Sequence, residues 1–141
     1  MVKQFNEDGV SFRYPDDWTL EREEADDGWT ATLQSKETAF LVVTLDREMP
    51  EPERMVNTAL EALRSEYPGL DADPAVDLLA GEMAVGHDIA FFSFDLPNTA
   101  WTRGLYCGAG TLMLYWQVND LELEAAEPVL KAITQSLKVQ E

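Results

Sequence analysis

Residues 100 to 119 read AWTRGLYCGAGTLMLYWQVN. Two runs rich in β-branched and aromatic residues flank a Gly-Ala-Gly triplet, the pattern of a β-hairpin with strands over 100–108 and 111–119 closed by Ala109-Gly110. Pairing Gly108 with Thr111 sets Leu105 opposite Leu114, Cys107 opposite Leu112 and Arg103 opposite Trp116. Thr102, Tyr106, Met113, Tyr115 and Gln117 then share the other face. Leu112 to Trp116 is apolar on both sides, and so is Phe40 to Leu45 (FLVVTL). Strands of that kind sit inside a sheet covered on two faces.

Working outward, Ile89 to Leu96 reads as a further strand, with Ala90, Phe92, Phe94 and Leu96 on one face and Pro97-Asn98 as its turn. Val10, Phe12 and Tyr14 alternate with Ser11 and Arg13, and Pro15 stops them. Trp18 and Leu20 open a short strand that dissolves into the acidic run Glu21 to Gly28, read as an exposed connection. Trp29, Ala31 and Leu33 alternate again. Residues 70 to 80 form a connection with an edge strand at Val76 to Leu79.

Two segments change period. From Pro52 to Glu66, Met55, Val56, Ala59, Leu60 and Leu63 recur at three and four, an amphipathic helix opened by proline in its first turn and ended by Pro68-Gly69. The last helix carries Ala126, Val129, Leu130, Ile133 and Leu137 on one stripe. Pro128 would break a helix begun at Leu121, so a turn over 121–126 and a start near Glu127 are expected. These elements predict one domain over 1–141 of class α+β, an antiparallel β-sheet sandwiched by helices.

The 141 residues include 27 acids, 10 bases, one His and one Cys, for a net charge of -17. Residues 1 to 80 hold 19 of the acids and 7 of the bases. A field of that sign repels phosphate backbones and anionic headgroups, and the cations are scattered, so neither nucleic acid nor a membrane is an expected partner. The excess reads first as a solubility or salt-tolerance feature; the sharper alternative is attraction to a basic protein. The segment MVKQFNEDGVSF has no apolar leader core, and with a single thiol the cytoplasm is the expected compartment.

Few residue patterns point to catalysis. A lone His87 excludes a two-His metal site within one chain, and Cys107 among apolar neighbours reads as a small core residue. Gly104, Gly108 and Gly110 lack the Lys and the following helix of a phosphate loop. Asp71, Asp73, Asp77 and Glu82 have calcium-loop spacing, but Val76 stands where the turn glycine belongs. No cofactor is expected. Trp101, Arg103, Tyr106 and Tyr115, with Trp116 nearby, combine the side chains that dominate protein–protein contacts, and they are the candidate partner-binding residues.

GVSFRYPDDW (Gly9 to Trp18), with its Tyr14-Pro15-x-x-Trp18 core, the apolar strand FLVVTL, one amphipathic helix, three closing strands and a final helix ending ITQSLKV (Ile133 to Val139) resemble the PsbP-like superfamily. It includes photosystem II extrinsic proteins, a Ran-GTPase-binding import factor, and bacterial relatives among which are chaperones of secreted effectors. The resemblance implies an antiparallel sheet between helical layers and a non-enzymatic, protein-binding adaptor or chaperone-like role, with no catalytic set to carry over. The alternatives from the residues themselves are a small-ligand pocket between helix and sheet, lined by Trp101 and Phe92, and a hydrolase using His87 with a carboxylate.

Overall fold

The computed structural model describes residues 1–141. Seven antiparallel strands form the main sheet: β3 (Thr19–Ala25), β4 (Gly28–Gln34), β5 (Phe40–Asp46), β6 (Asp71–Leu79), β7 (Glu82–Ser93), β8 (Leu96–Cys107) and β9 (Gly110–Asn119). Their spatial order is β3-β4-β5-β9-β8-β7-β6, which puts the two continuously apolar strands, β5 and β9, side by side. A smaller sheet, β1-β2-β10, joins β1 (Val2–Glu7), β2 (Val10–Pro15) and the two-residue β10 (Lys138–Val139).

Period-two alternation decides what each face meets. Leu41, Val43, Leu45, Leu112 and Leu114 point one way and pack with Trp29, Phe12 and Val10 under the small sheet and α2 (Leu123–Gln135), which contributes Ile133. The other face is covered by α1 (Pro52–Glu66), whose Leu60 packs with Ile89, Phe91 and Ala100. The helices therefore lie on opposite faces of an antiparallel sheet, the α+β sandwich the sequence predicts. α1 has the predicted bounds, with proline at its start.

Several expectations need correction. Thr19–Ala25 is a full strand, not an exposed connection: Leu20 and Arg22 turn inward opposite Leu33 and Ala31, and Arg22 Nε donates to Glu7 at 2.9 Å. An edge strand needs only that much apolar content, because one face stays in water. The β7–β8 turn is Phe94-Asp95, not Pro97-Asn98; both residues have positive φ (53° and 64°), and Pro97 lies in β8 opposite Phe92. The edge strand beyond α1 spans the whole of β6.

The β8–β9 hairpin closes through Gly108-Ala109, with Cys107 paired to Gly110. Leu105 thus faces Leu112, Arg103 faces Leu114 and Trp101 faces Trp116. This moves the expected pairing by two residues, so the faces are unchanged. Gly110 belongs to the strand because β5 passes so close that a Cβ there would lie 2.2 Å from the Asp46 carbonyl.

α2 begins at Leu123, four residues before its expected start, and holds Pro128 inside it. Asn119 Oδ1 accepts the Leu121 N–H at 2.8 Å and starts a 3₁₀ turn over Asp120–Glu122, from which the helix grows. Leu123 and Ala126 then pack with Ala39, Val118 and the tryptophans at 18, 101 and 116. That packing outweighs the single backbone bond a proline removes.

Candidate functional site

The four candidate residues divide between the two faces of the sheet. Trp101 and Arg103 lie on the α2 side, while Tyr115, opposite Thr102, and Tyr106, opposite Thr111, lie on the α1 side. Strand alternation forces this, since odd and even positions of β8 point apart. Tyr115 is half-buried, its ring 5.9 Å from that of Phe40, and its hydroxyl donates to Gln117 Oε1. Burial, reinforced by Tyr67 and Glu66, pushes its phenol above the usual tyrosine range. Tyr106 is 45% exposed.

On the α2 side, Trp101 and Trp116 are cross-strand partners with stacked rings, 5.8 Å between centroids and 15° between planes. The Arg103 guanidinium lies 6.0 Å from the centre of the Trp116 ring. Its side chain is only 5% exposed and fully engaged. Nε donates to Asp77 Oδ2 at 2.7 Å, Nη2 to Asp88 Oδ1 at 2.8 Å, and Nη1 to the carbonyls of Thr102 at 2.8 Å and His87 at 3.2 Å. Arg103 reaches β6 because the residue beside it on β7 is Gly86, followed in register by Ala75. Gly86 could not carry a side chain in any case, since a Cβ would lie 1.7 Å from the Thr102 carbonyl.

Around this arginine opens a cleft of about 270 Å³ between α2 and the sheet. Asp77, Leu78 and Leu79 form one wall, Trp101, Arg103 and Trp116 the floor, and Glu127, Lys131, Thr134 and Gln135 of α2 the other wall. Lys131 balances Glu127 and Arg103 is shared by Asp77 and Asp88, so the cleft keeps about one net negative charge and is near-neutral beside the rest of a strongly acidic protein. Asp88, Glu127 and Lys131 are not among the sequence candidates, and Asp77 figures there only as a calcium-loop position. Only the register across β6, β7 and β8 reveals the two acids as partners of Arg103.

His87 lies in the middle of β7 opposite Thr102, on the α1 side. Its Nδ1 is buried without a hydrogen-bond partner. Desolvation, then Arg103 and Arg64, hold the imidazole below its ordinary value against a smaller opposing effect of Asp88. Phe92, the other proposed pocket residue, is 71% exposed. Cys107 is buried.

This architecture has counterparts among solved structures. The chain aligns with cyanobacterial PsbP (CyanoP) from Synechocystis sp. PCC 6803 at a TM-score of 0.68, covering 98% of this chain and 92% of that one at 10% identity. The fold is PsbP-like. Two other matches have a TM-score of 0.59. LpqN, described as involved in cell envelope biogenesis of Mycobacterium tuberculosis, is 14% identical over 100% of this chain and 91% of its own. A Pseudomonas aeruginosa protein of unknown function, PA94, is 16% identical over 99% and 98%. At such identities the likeness is one of fold. No protein-family model and no curated protein matches the sequence. No helix of the chain is long and apolar enough to cross a membrane.

Proposed function

We propose that this chain is a non-enzymatic protein-binding module whose contact centre is the cleft of Trp101, Trp116 and Arg103. The observation that carries the reading is the stacked tryptophan pair lying on a buried arginine in a near-neutral opening. Trp and Arg dominate the energetics of protein contacts, most of all when they are held rigid before binding. Four hydrogen bonds and the ring stack hold these residues in that way. Six of the ten residues that line the cleft are polar or charged, which favours this reading over a small-ligand pocket, because such pockets are lined mostly by apolar side chains.

The test is quantitative capture from the source cell with wild-type chain and with Trp101→Ala, Lys131→Glu and Tyr106→Ala variants, each checked for an unchanged fold by circular dichroism. A partner enriched by wild type and by Tyr106→Ala, and lost with the other two, is expected. Capture that is insensitive to Trp101 and Lys131, or no enriched protein at all, refutes the reading.

A further inference from the structure

The main sheet has two open edges, and they differ in chemistry. β3 is lined by Glu21, Arg22, Glu23 and Glu24 and exposes no large apolar side chain. β6 exposes Val76 (61%) and Leu78 (75%), and Met83, the cross-strand partner of Leu78, is 69% exposed. α1 packs over β7, β8 and β9, so this apolar group lies outside its cover. An open strand edge of this length presents backbone N–H and C=O groups to any extended chain that matches its side chains.

The opposite face of β6 carries Asp71, Asp73 and Asp77, all exposed. These acids decide what can pair. In an antiparallel contact between two copies centred on Pro74, Asp71 of one chain would face Asp77 of the other, and the Asp73 side chains would lie between them. Like charges placed opposite each other are destabilising, and each copy also carries a net charge of -17. Pro74, which has no N–H, weakens the centre of such a pairing further. A strand with Lys or Arg on the Asp face and apolar residues on the Val76 face meets neither charge obstacle, and it meets one Pro74 where a pair of copies would set two prolines against each other.

We propose that β6 is a docking edge for an extended basic segment of a partner protein, added as an eighth strand with alternating cationic and apolar residues. The proposal rests on the protein-binding reading and is continuous with it in space, because Asp77, Leu78 and Leu79 of β6 also form one wall of the tryptophan cleft.

The experiment titrates the full-length ¹⁵N-labelled chain with a synthetic peptide alternating Lys and Val, long enough to span β6. Three control peptides replace Lys with Glu, carry N-methyl groups along one backbone edge, or carry them along the other. Expected are amide shifts and slowed hydrogen exchange centred on Val76 to Leu78, absent with the Glu peptide and with the peptide whose pairing edge is methylated. Asp73→Lys should weaken the Lys peptide about tenfold, since an exposed attraction becomes a repulsion. Shifts elsewhere with β6 unmoved, equal binding by both edge-methylated peptides, or self-association through β6 without peptide would overturn the proposal. If β6 stays silent while cellular capture still depends on Trp101, strand addition alone is lost. If β6 responds and capture ignores Trp101, the cleft assignment fails instead.

Discussion

Arg103→Ala is the substitution whose cost can be worked most fully from the structure. It removes four hydrogen bonds, a ring contact and a buried stem. The Thr102 and His87 carbonyls each lose a bond of about 1 kcal/mol. Asp77 and Asp88 are about half exposed (54% and 51%), so water takes over at the freed carboxylates and each pair contributes only about 0.5–1 kcal/mol. Lost burial of the aliphatic stem and of the Trp116 contact adds about 1–2 kcal/mol. The expected destabilisation is about 4–6 kcal/mol, a large part of what a domain of this size has. Arg103→Lys tests the geometry separately. An ammonium has three donors for four acceptors and lacks the planar fork that reaches Asp77 and Asp88 together, so a loss of about 2–3 kcal/mol is expected. Asp88→Asn should cost less than about 1 kcal/mol. Urea unfolding followed by tryptophan fluorescence measures all three against the wild type. A loss under about 1 kcal/mol for Arg103→Ala, or a Lys variant as stable as the wild type, would refute the account of Arg103 as the tie between β8, β7 and β6.

Three further outcomes are expected. Phe94 is 99% exposed and held at a φ of 53°, a conformation a bulky side chain adopts at a cost, so Phe94→Asn should raise stability by about 0.5–1 kcal/mol in the same unfolding assay, and a decrease would count against strain at that turn. Pro128→Ala restores a backbone donor inside α2 and should stabilise by about 1–3 kcal/mol; a loss would mean that the proline ring itself is needed there. The third is a pH effect at His87, whose imidazole is held below its ordinary value in the folded chain. The unfolded state therefore binds this proton first as pH falls. The His87 contribution is flat above the unfolded value of about 6.5 and turns unfavourable as pH falls from there through the folded value. A His87→Gln chain should lack that component when unfolding free energy is measured from pH 8 to 4, and identical slopes for the two proteins would refute it.

What could be read in the sequence was what local chemistry decides. α1 has a proline at its start, an unbroken 3.6 period and Pro68-Gly69 at its end, and its bounds match. Alternation within β8 and β9 already separated Tyr106 and Tyr115 from the face of Trp101 and Arg103. The misreadings lie where a distant contact decides. Pro128 argued for a late helix start until Leu123 and Ala126 met the tryptophans. The hairpin register depended on which glycine turns the chain, and only β5 pressing on Gly110 determines that. β1 was announced by Asp8-Gly9, a strong two-residue turn signal with positive φ at both positions, but VKQFNE buries Phe5 alone and gave no alternation to match. The partners of Arg103 sit 26 and 15 residues away in sequence, joined by two registers that no local pattern encodes.

The charge of the chain and the near-neutrality of its cleft fit one division of labour. A net charge of -17 repels acidic proteins and draws basic ones from a distance, but screening at physiological salt confines that attraction to roughly 8 Å, so it governs encounter more than grip. Grip requires desolvated contact, and a partner side chain entering a strongly negative opening would leave carboxylates unpaired as it expelled water. Arg103 and Lys131 lower that penalty at the one place where two tryptophans are stacked side by side. Weakening by salt and weakening by Trp101→Ala should therefore appear in different rate constants. Added salt should slow association, and loss of the ring should speed dissociation; a partner whose dissociation rate follows salt and ignores Trp101 would show that charge, not the cleft, holds it.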